Sequence, residues 1–238
     1  MDRNSNVYTI MYAAILTVVV AVILAFVNSS LAPKMAANEK LATQQDILRS
    51  VGLVDLEDAA SVFEKTITGV VIDAQGKEID GAVASELSVA AEFKKSEEEM
   101  RHPLYIYTSE DGSKKYIIPL YGNGLWDKIW GYIAIEEDMN TVAGISMDHK
   151  GETPGLGAEI KDSPKQYNDP YIGKKLYNEK GEYVAISMVK GGVKDAEHQV
   201  DAISGATITS DGVNEMVYRG IGYYLSYFNS LQTQTSLK

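Results

Sequence analysis

Asp201-Ala202-Ile203-Ser204-Gly205-Ala206-Thr207-Ile208-Thr209-Ser210 runs from an extended approach through small residues into a helix, and its reading decides what kind of domain this is. Ser210 is the expected N-cap, with Asp211 adding an acid to the first turn. Apolar residues follow at Val213, Met216, Val217, Ile221, Tyr224, Leu225 and Phe228, which predicts a helix over Asp211 to Phe228. A helix start leaves backbone N–H groups unpaired and carries a partial positive charge, which suits a phosphate. Thr207 puts a hydroxyl beside such an anion site, and Gly205 and Ala206 leave room for a ligand to come close. Taken alone, Ser204 to Ser210 also reads as an ordinary loop-to-helix cap.

Asp148-His149-Lys150-Gly151-Glu152-Thr153-Pro154-Gly155-Leu156-Gly157-Ala158-Glu159 is the second informative stretch. Its glycines and proline fix an irregular backbone, either a tight loop in which Thr153 caps a short helix at Pro154, or a loop presenting backbone groups to the edge of a ligand. Gly122-Asn123-Gly124-Leu125-Trp126-Asp127-Lys128-Ile129-Trp130-Gly131-Tyr132 holds both tryptophans. Tryptophans beside a strand are by default core anchors.

Composition narrows the classes. The 238 residues carry a formal net charge of −11 and no cysteine. The acidity argues against nucleic acid. The missing cysteines exclude thiolate iron–sulfur clusters, covalent haem attachment through cysteine, and disulfides. His102, His149 and His198 lack a second histidine at ligand spacing, so no metal is expected. No Gly-x-Ser-x-Gly element or P-loop supports a hydrolase or NTPase.

Asn4 to Pro33 is free of charge and Val7 to Val27 is almost wholly apolar. As a helix that run spans about 30 Å, the thickness of a bilayer's hydrocarbon core. Ser30-Leu31-Ala32 resembles a signal cleavage site, but the apolar run is too long for a signal peptide and Pro33 would follow the cut. A retained anchor is expected, 1–33, with the soluble domain at 34–238. Beyond it, Lys34 to Val51, Leu56 to Phe63 and Val83 to Met100 read as helices, the last ending in a solvated charge run. Strands are expected at Gly69–Ile72, Leu104–Thr108, Lys115–Leu120, Ile129–Ile135, Thr141–Asp148 and Tyr183–Val189. Successive hairpins with helices at both ends give an α+β fold class: one N-terminal transmembrane helix, then one soluble domain with a mainly antiparallel sheet and flanking helices.

An acid three residues before Ser-Gly-Ala-Thr, followed by Thr-Ser and a helix, resembles the flavinylation motif of the FMN-binding domain family. That resemblance implies covalent FMN, its phosphate joined by a flavin transferase to the Thr207 hydroxyl. Asp201, Ser204, Gly205 and Ala206 would be recognised by the transferase or shape the phosphate site. Glu152-Thr153-Pro154-Gly155-Leu156-Gly157 resembles an element of the same family that lines the flavin. It implies cofactor contacts from Glu152, Thr153, Gly155, Leu156 and Gly157, with Leu156 over one face of the ring. The Gly-x-Gly-Leu-Trp element ending at Trp126 is similar to members that work inside sodium-translocating NADH:quinone reductases. Rnf-type members usually lack it.

The resemblance implies a subunit that relays electrons through FMN and has no catalytic residue of its own. Its setting would be the bacterial inner membrane, with its bulk on the periplasmic side and other membrane subunits as partners. An Rnf-type subunit, a free-standing flavinylated carrier, and a flavin-free anchored binding or sensor domain remain as alternatives. In the last, Thr207 is merely a cap residue.

Overall fold

The computed structural model describes residues 6–236, which fall into two compact units divided between Thr43 and Gln44. The first unit is a helix. α1, Asn6–Ser50, is unbroken through Pro33, so the sequence-drawn boundary at 33/34 lies inside it. Over Val7–Val27 the exposed large apolar side chains stand 45 to 72% exposed on all sides. A helix apolar all round and unburied has the composition of a membrane-spanning one. It is the one helix among the described residues long and apolar enough to cross a membrane.

The second unit begins with the last turns of α1, where Ile47, Leu48 and Ser50 are buried. α2 (Ala59–Thr66) follows, capped by the Asp58 carboxylate on the Ser61 N–H, and leads into β1 (Ile67–Ile72). The helix expected over Val83 to Met100 is not one helix. It is a 3-10 turn at Ala84–Glu86, a single α-turn, α3 (Val89–Glu92), and a second 3-10 turn at Glu97–Glu99. Glu92 explains the break: it is buried and its carboxylate takes Lys95 at 2.7 Å and the Arg101 N–H at 3.0 Å, folding the chain back.

β2 (His102–Thr108), β3 (Lys114–Asn123), β4 (Lys128–Glu136) and β5 (Val142–His149) continue from β1 as a five-stranded antiparallel meander in chain order. The period of two sorts the core. Leu104, Ile118, Leu120, Ile133 and Ile135 face one layer, Tyr105, Ile117 and Ala134 the other. After the short helices α4 (Glu159–Asp162) and α5 (Pro164–Tyr167) comes a departure from expectation. Of the strand read over Tyr183–Val189, only β6 (Ser187–Val189) forms, and it pairs in parallel with β7 (Gln199–Asp201) in a separate small sheet.

The final helix is also divided. α6 (Thr207–Gly222) and α7 (Leu225–Ser236) are separated at Tyr223-Tyr224, where the Tyr224 hydroxyl donates to the Pro103 carbonyl at 2.7 Å. Val213, Met216, Val217, Ile221 and Phe228 pack on the first layer of the sheet, as their spacing predicts. α6 starts at Thr207, not after Ser210: its N-cap is Ala206. Ser210 instead sits buried in the first turn, its hydroxyl donating to the Ala206 carbonyl and accepting from the Ile203 N–H at 3.1 Å. The serine ties down the entering chain and caps nothing.

Candidate functional site

Register brings the three informative stretches together. Asn123 pairs with Lys128, so Gly124–Asp127 is the β3–β4 turn, closed by a Gly124 N–H to Asp127 carbonyl bond of 2.8 Å. Ile129 pairs with His149, so the chain leaving β5 emerges at the same end of the sheet. α6 reaches that end because two glycine contacts let it lie against β3. A Cβ at Gly212 would strike the Asn123 carbonyl oxygen, and one at Gly122 would lie 2.8 Å from Met216 Cβ. The first turn of α6 therefore stands beside the tryptophan turn.

β7 leads into the Ser-Gly-Ala-Thr segment. Asp201 is exposed at its end, and the Ala206 N–H to Ile203 carbonyl bond of 3.1 Å makes a tight turn with Gly205 at φ 77°. That left-handed conformation favours glycine. The Leu156 Cδ2 atom would meet a Cβ at Gly205 at 2.9 Å, so the proline-glycine loop lies directly on the Ser-Gly-Ala-Thr segment. The side chain of Leu156 stays partly exposed, as do Leu125, Trp126 and Ile208.

Ala206 supplies no side-chain cap, and the first intrahelical bond runs from the Ser210 N–H to the Ala206 carbonyl. The N–H groups of Thr207, Ile208 and Thr209 thus have no intrahelical acceptor at the positive end of the helix. Of the four motif hydroxyls, two are committed. Thr209, 1% exposed, donates to Glu152 Oε2 at 2.6 Å, and Ser210 is engaged as above. The hydroxyls of Ser204 and Thr207 find no partner among the described residues, and only Thr207 stands on the helix itself. Geometry thus singles out Thr207 as an open hydroxyl next to three open N–H donors.

Glu152 points inward. It is 5% exposed, accepts the Trp126 N–H on Oε1 at 2.9 Å, and its own N–H donates to His149 Nδ1 at 3.1 Å. Thr153 does not cap a helix at Pro154. Its hydroxyl accepts the Trp126 indole N–H at 3.1 Å, its carbonyl takes the N–H groups of Leu156 and Ala158, and the next helix begins only at Glu159. Gly155 adopts φ 75°, and Gly157 is so close to Glu152 and Thr209 that a Cβ would lie 2.6 Å from the Thr209 hydroxyl. Trp126 is no core anchor: it is 69% exposed. Trp130, on β4, is half-buried.

Two structural ties carry no signal in the sequence. Thr209 stands inside the motif, but its partner lies 57 positions away and no local spacing reports such a contact. Asn214 is the other: its side-chain amide accepts the Met188 N–H at 2.6 Å and donates to the Met188 carbonyl at 3.0 Å, fastening β6 to α6. Ion pairs ring the area, Lys150 with Asp127 at 3.3 Å and Lys161 with Asp148 at 2.7 Å. Two shallow clefts, one lined by Arg49 and Leu56 and the other by Phe93 and Arg219, include neither Thr207, Glu152 nor Trp126. Leu125, Trp126, Leu156 and Ile208 of the site face outward, while Glu152 and Thr209 lie buried beneath.

Residues 124–222 match the family described as FMN-binding domain, a span that begins at the tryptophan turn and ends with α6. Along its length the chain is similar to the C subunit of the Na(+)-translocating NADH-quinone reductase of Haemophilus ducreyi, 32% identical over 96% of each chain. The protein of that name from Pseudomonas aeruginosa is 31% identical over 93% of each. Among solved structures, the corresponding protein from Parabacteroides distasonis superposes with a TM-score of 0.74 at 34% identity, covering 83% of this chain and 96% of that one.

Proposed function

The chain belongs to the family of C subunits of Na(+)-translocating NADH-quinone reductases, and from that premise we propose that it carries FMN, ester-linked through its phosphate to Thr207. It serves as a membrane-anchored flavoprotein subunit of such an oxidoreductase complex. The observation that carries this reading is the uncapped start of α6, with an unengaged Thr207 hydroxyl at its first position. The donor set fits the group: N–H groups of Thr207, Ile208 and Thr209 for a phosphate, and exposed Leu156 and Trp126 to cover a ring. Bound there, FMN supplies one- and two-electron redox chemistry.

The chain's own residues hold and orient. The α6 terminus neutralises the phosphoester, Gly205 and Ala206 let it approach, and Asp201 and Ser204, both exposed, are presented to the flavin transferase. Thr153, Gly155 and Gly157 shape the loop that sets Leu156 over Gly205. No acid–base group is required of this subunit. The tether keeps the cofactor at high effective concentration whatever its redox state. Residues 1–33 anchor the chain in the inner membrane, with 34–238 on the periplasmic side, where lost FMN could not readily be replaced. Its other partners are the remaining membrane subunits of the complex.

Co-expression with a flavin transferase followed by a denaturing gel under ultraviolet light tests the linkage. A fluorescent band near 26 kDa is expected, with an FMN adduct on the peptide containing Thr207. Thr207→Ala removes both, and Thr207→Ser retains them. A band equally bright in the alanine variant refutes the attachment site. A colourless wild-type protein would instead support the flavin-free anchored domain.

A further inference from the structure

Glu152 is a buried carboxylate with no Lys or Arg paired to it among the described residues. Its place is built around it. A Cβ at Gly124 would lie 2.8 Å from the Glu152 carboxyl carbon, and one at Gly157 would lie 3.1 Å from its Cβ. Burying a carboxylate without a cation is costly unless its oxygens are satisfied. Here each oxygen takes one donor from a different element: the Trp126 N–H from the β3–β4 turn and the Thr209 hydroxyl from the first turn of α6.

Trp126 has little else to hold it. It is largely exposed, and its one other hydrogen bond among the described residues is to Thr153, the residue following Glu152. Thr209 is two residues from Thr207 on the same helical turn. The carboxylate therefore joins the tryptophan turn to the turn that bears the open hydroxyl. We infer that Glu152 is a positioning residue, which pins the β3–β4 turn to α6 and so fixes where Trp126 stands relative to the group on Thr207. The inference rests on the flavin reading for that last consequence, while the pinning itself does not.

The full chain in detergent tests both parts. Without flavin, hydrogen exchange of the peptide spanning the β3–β4 turn is expected to quicken about tenfold or more in Glu152→Ala, the effect of losing a charge-assisted hydrogen bond. Glu152→Gln restores near wild-type exchange, since its amide oxygen can accept from Trp126 N–H and its amide N–H can donate to the Thr209 hydroxyl. Thr209→Val, a milder change that leaves the Trp126 bond, gives an intermediate rate. Unchanged exchange in Glu152→Ala overturns the inference.

With flavin attached and the load equalised by peptide mass, an indole beside the ring quenches its emission. Glu152→Ala raises flavin emission in the wild-type background but not in Trp126→Phe, because the carboxylate acts through that tryptophan. An equal rise in both backgrounds, or none, refutes the coupling to Trp126. A wild-type chain without flavin on Thr207 defeats the flavin reading alone, and the exchange result still judges the pinning.

Discussion

Gly212 stands inside α6, where helix propensity alone says that alanine stabilises by about 1 kcal/mol. The tertiary structure reverses the sign. An added methyl at Gly212 would run into the Asn123 carbonyl oxygen, with Asn123 C at 3.2 Å and Gly124 Cα at 3.6 Å behind it. These are backbone atoms of a paired strand end and cannot rotate away, so the overpacking cost sits at the upper end of its range, about 3 kcal/mol. Net destabilisation in Gly212→Ala is therefore about 2 kcal/mol, a fall in melting temperature of roughly 4 to 8 °C for a domain of this size. Two controls lie on the same helix. At Gly220 the new methyl meets the Leu120 Cδ2 atom at 2.5 Å, a side-chain end that can shift, so Gly220→Ala is expected near neutral. At Gly222 nothing lies within 4 Å, and alanine stabilises by up to about 1 kcal/mol. Urea unfolding of the full chain in mild detergent, followed by the fluorescence of Trp126 and Trp130, ranks the three. A Gly212→Ala protein as stable as Gly222→Ala would refute the close seating of α6 on β3, and with it the placement of the Thr207 turn.

Other outcomes follow from buried polar groups. Burial pushes the His102 imidazole down from 6.5 to about 4, and it stacks on Tyr223 at 4.8 Å. Since the unfolded chain takes up that proton first, stability falls as pH drops from about 6.5 to about 4, by roughly 3 kcal/mol in all. His102→Phe should lack that part of the acid sensitivity in urea titrations at pH 7 and 4.5, and an unchanged difference rejects the assignment. The Tyr171 hydroxyl is buried with no hydrogen-bond partner among the described residues, so Tyr171→Phe is expected to be neutral or stabilising by about 1 kcal/mol. A loss of that size in thermal unfolding would reveal a partner for it. Asn214→Ala strips both bonds from Met188 and should cost about 2 kcal/mol, with faster hydrogen exchange confined to β6 and β7. Exchange that rises equally throughout the sheet would contradict a local role.

The long apolar helix was legible in the residues alone, because an unbroken apolar run of bilayer length favours one continuous helix. The hairpins were legible too, since turn residues separate the β-rich runs that became β2 to β5, and strands joined by short turns pair antiparallel. The Asp201–Thr207 segment was legible as a small-residue approach to a helix. What the sequence could not place was the start of that helix. Local rules prefer serine to alanine as a cap, yet Ser210 is spent on the Ile203 N–H. The same limit hid the breaks at Glu92 and Tyr224, whose partners lie on other elements.

The assembly of the site depends on contacts between elements far apart in the chain. Thr209 becomes unavailable because Glu152, far away in the chain, accepts its hydrogen bond, and Thr207 is left as the open hydroxyl on the helix. Trp126 stands at the surface because register puts its turn at the sheet's end, where a side chain meets solvent on most sides. Propensity and period act over a few residues, whereas a hydrogen bond between residues 57 apart exists only once the sheet has fixed both ends.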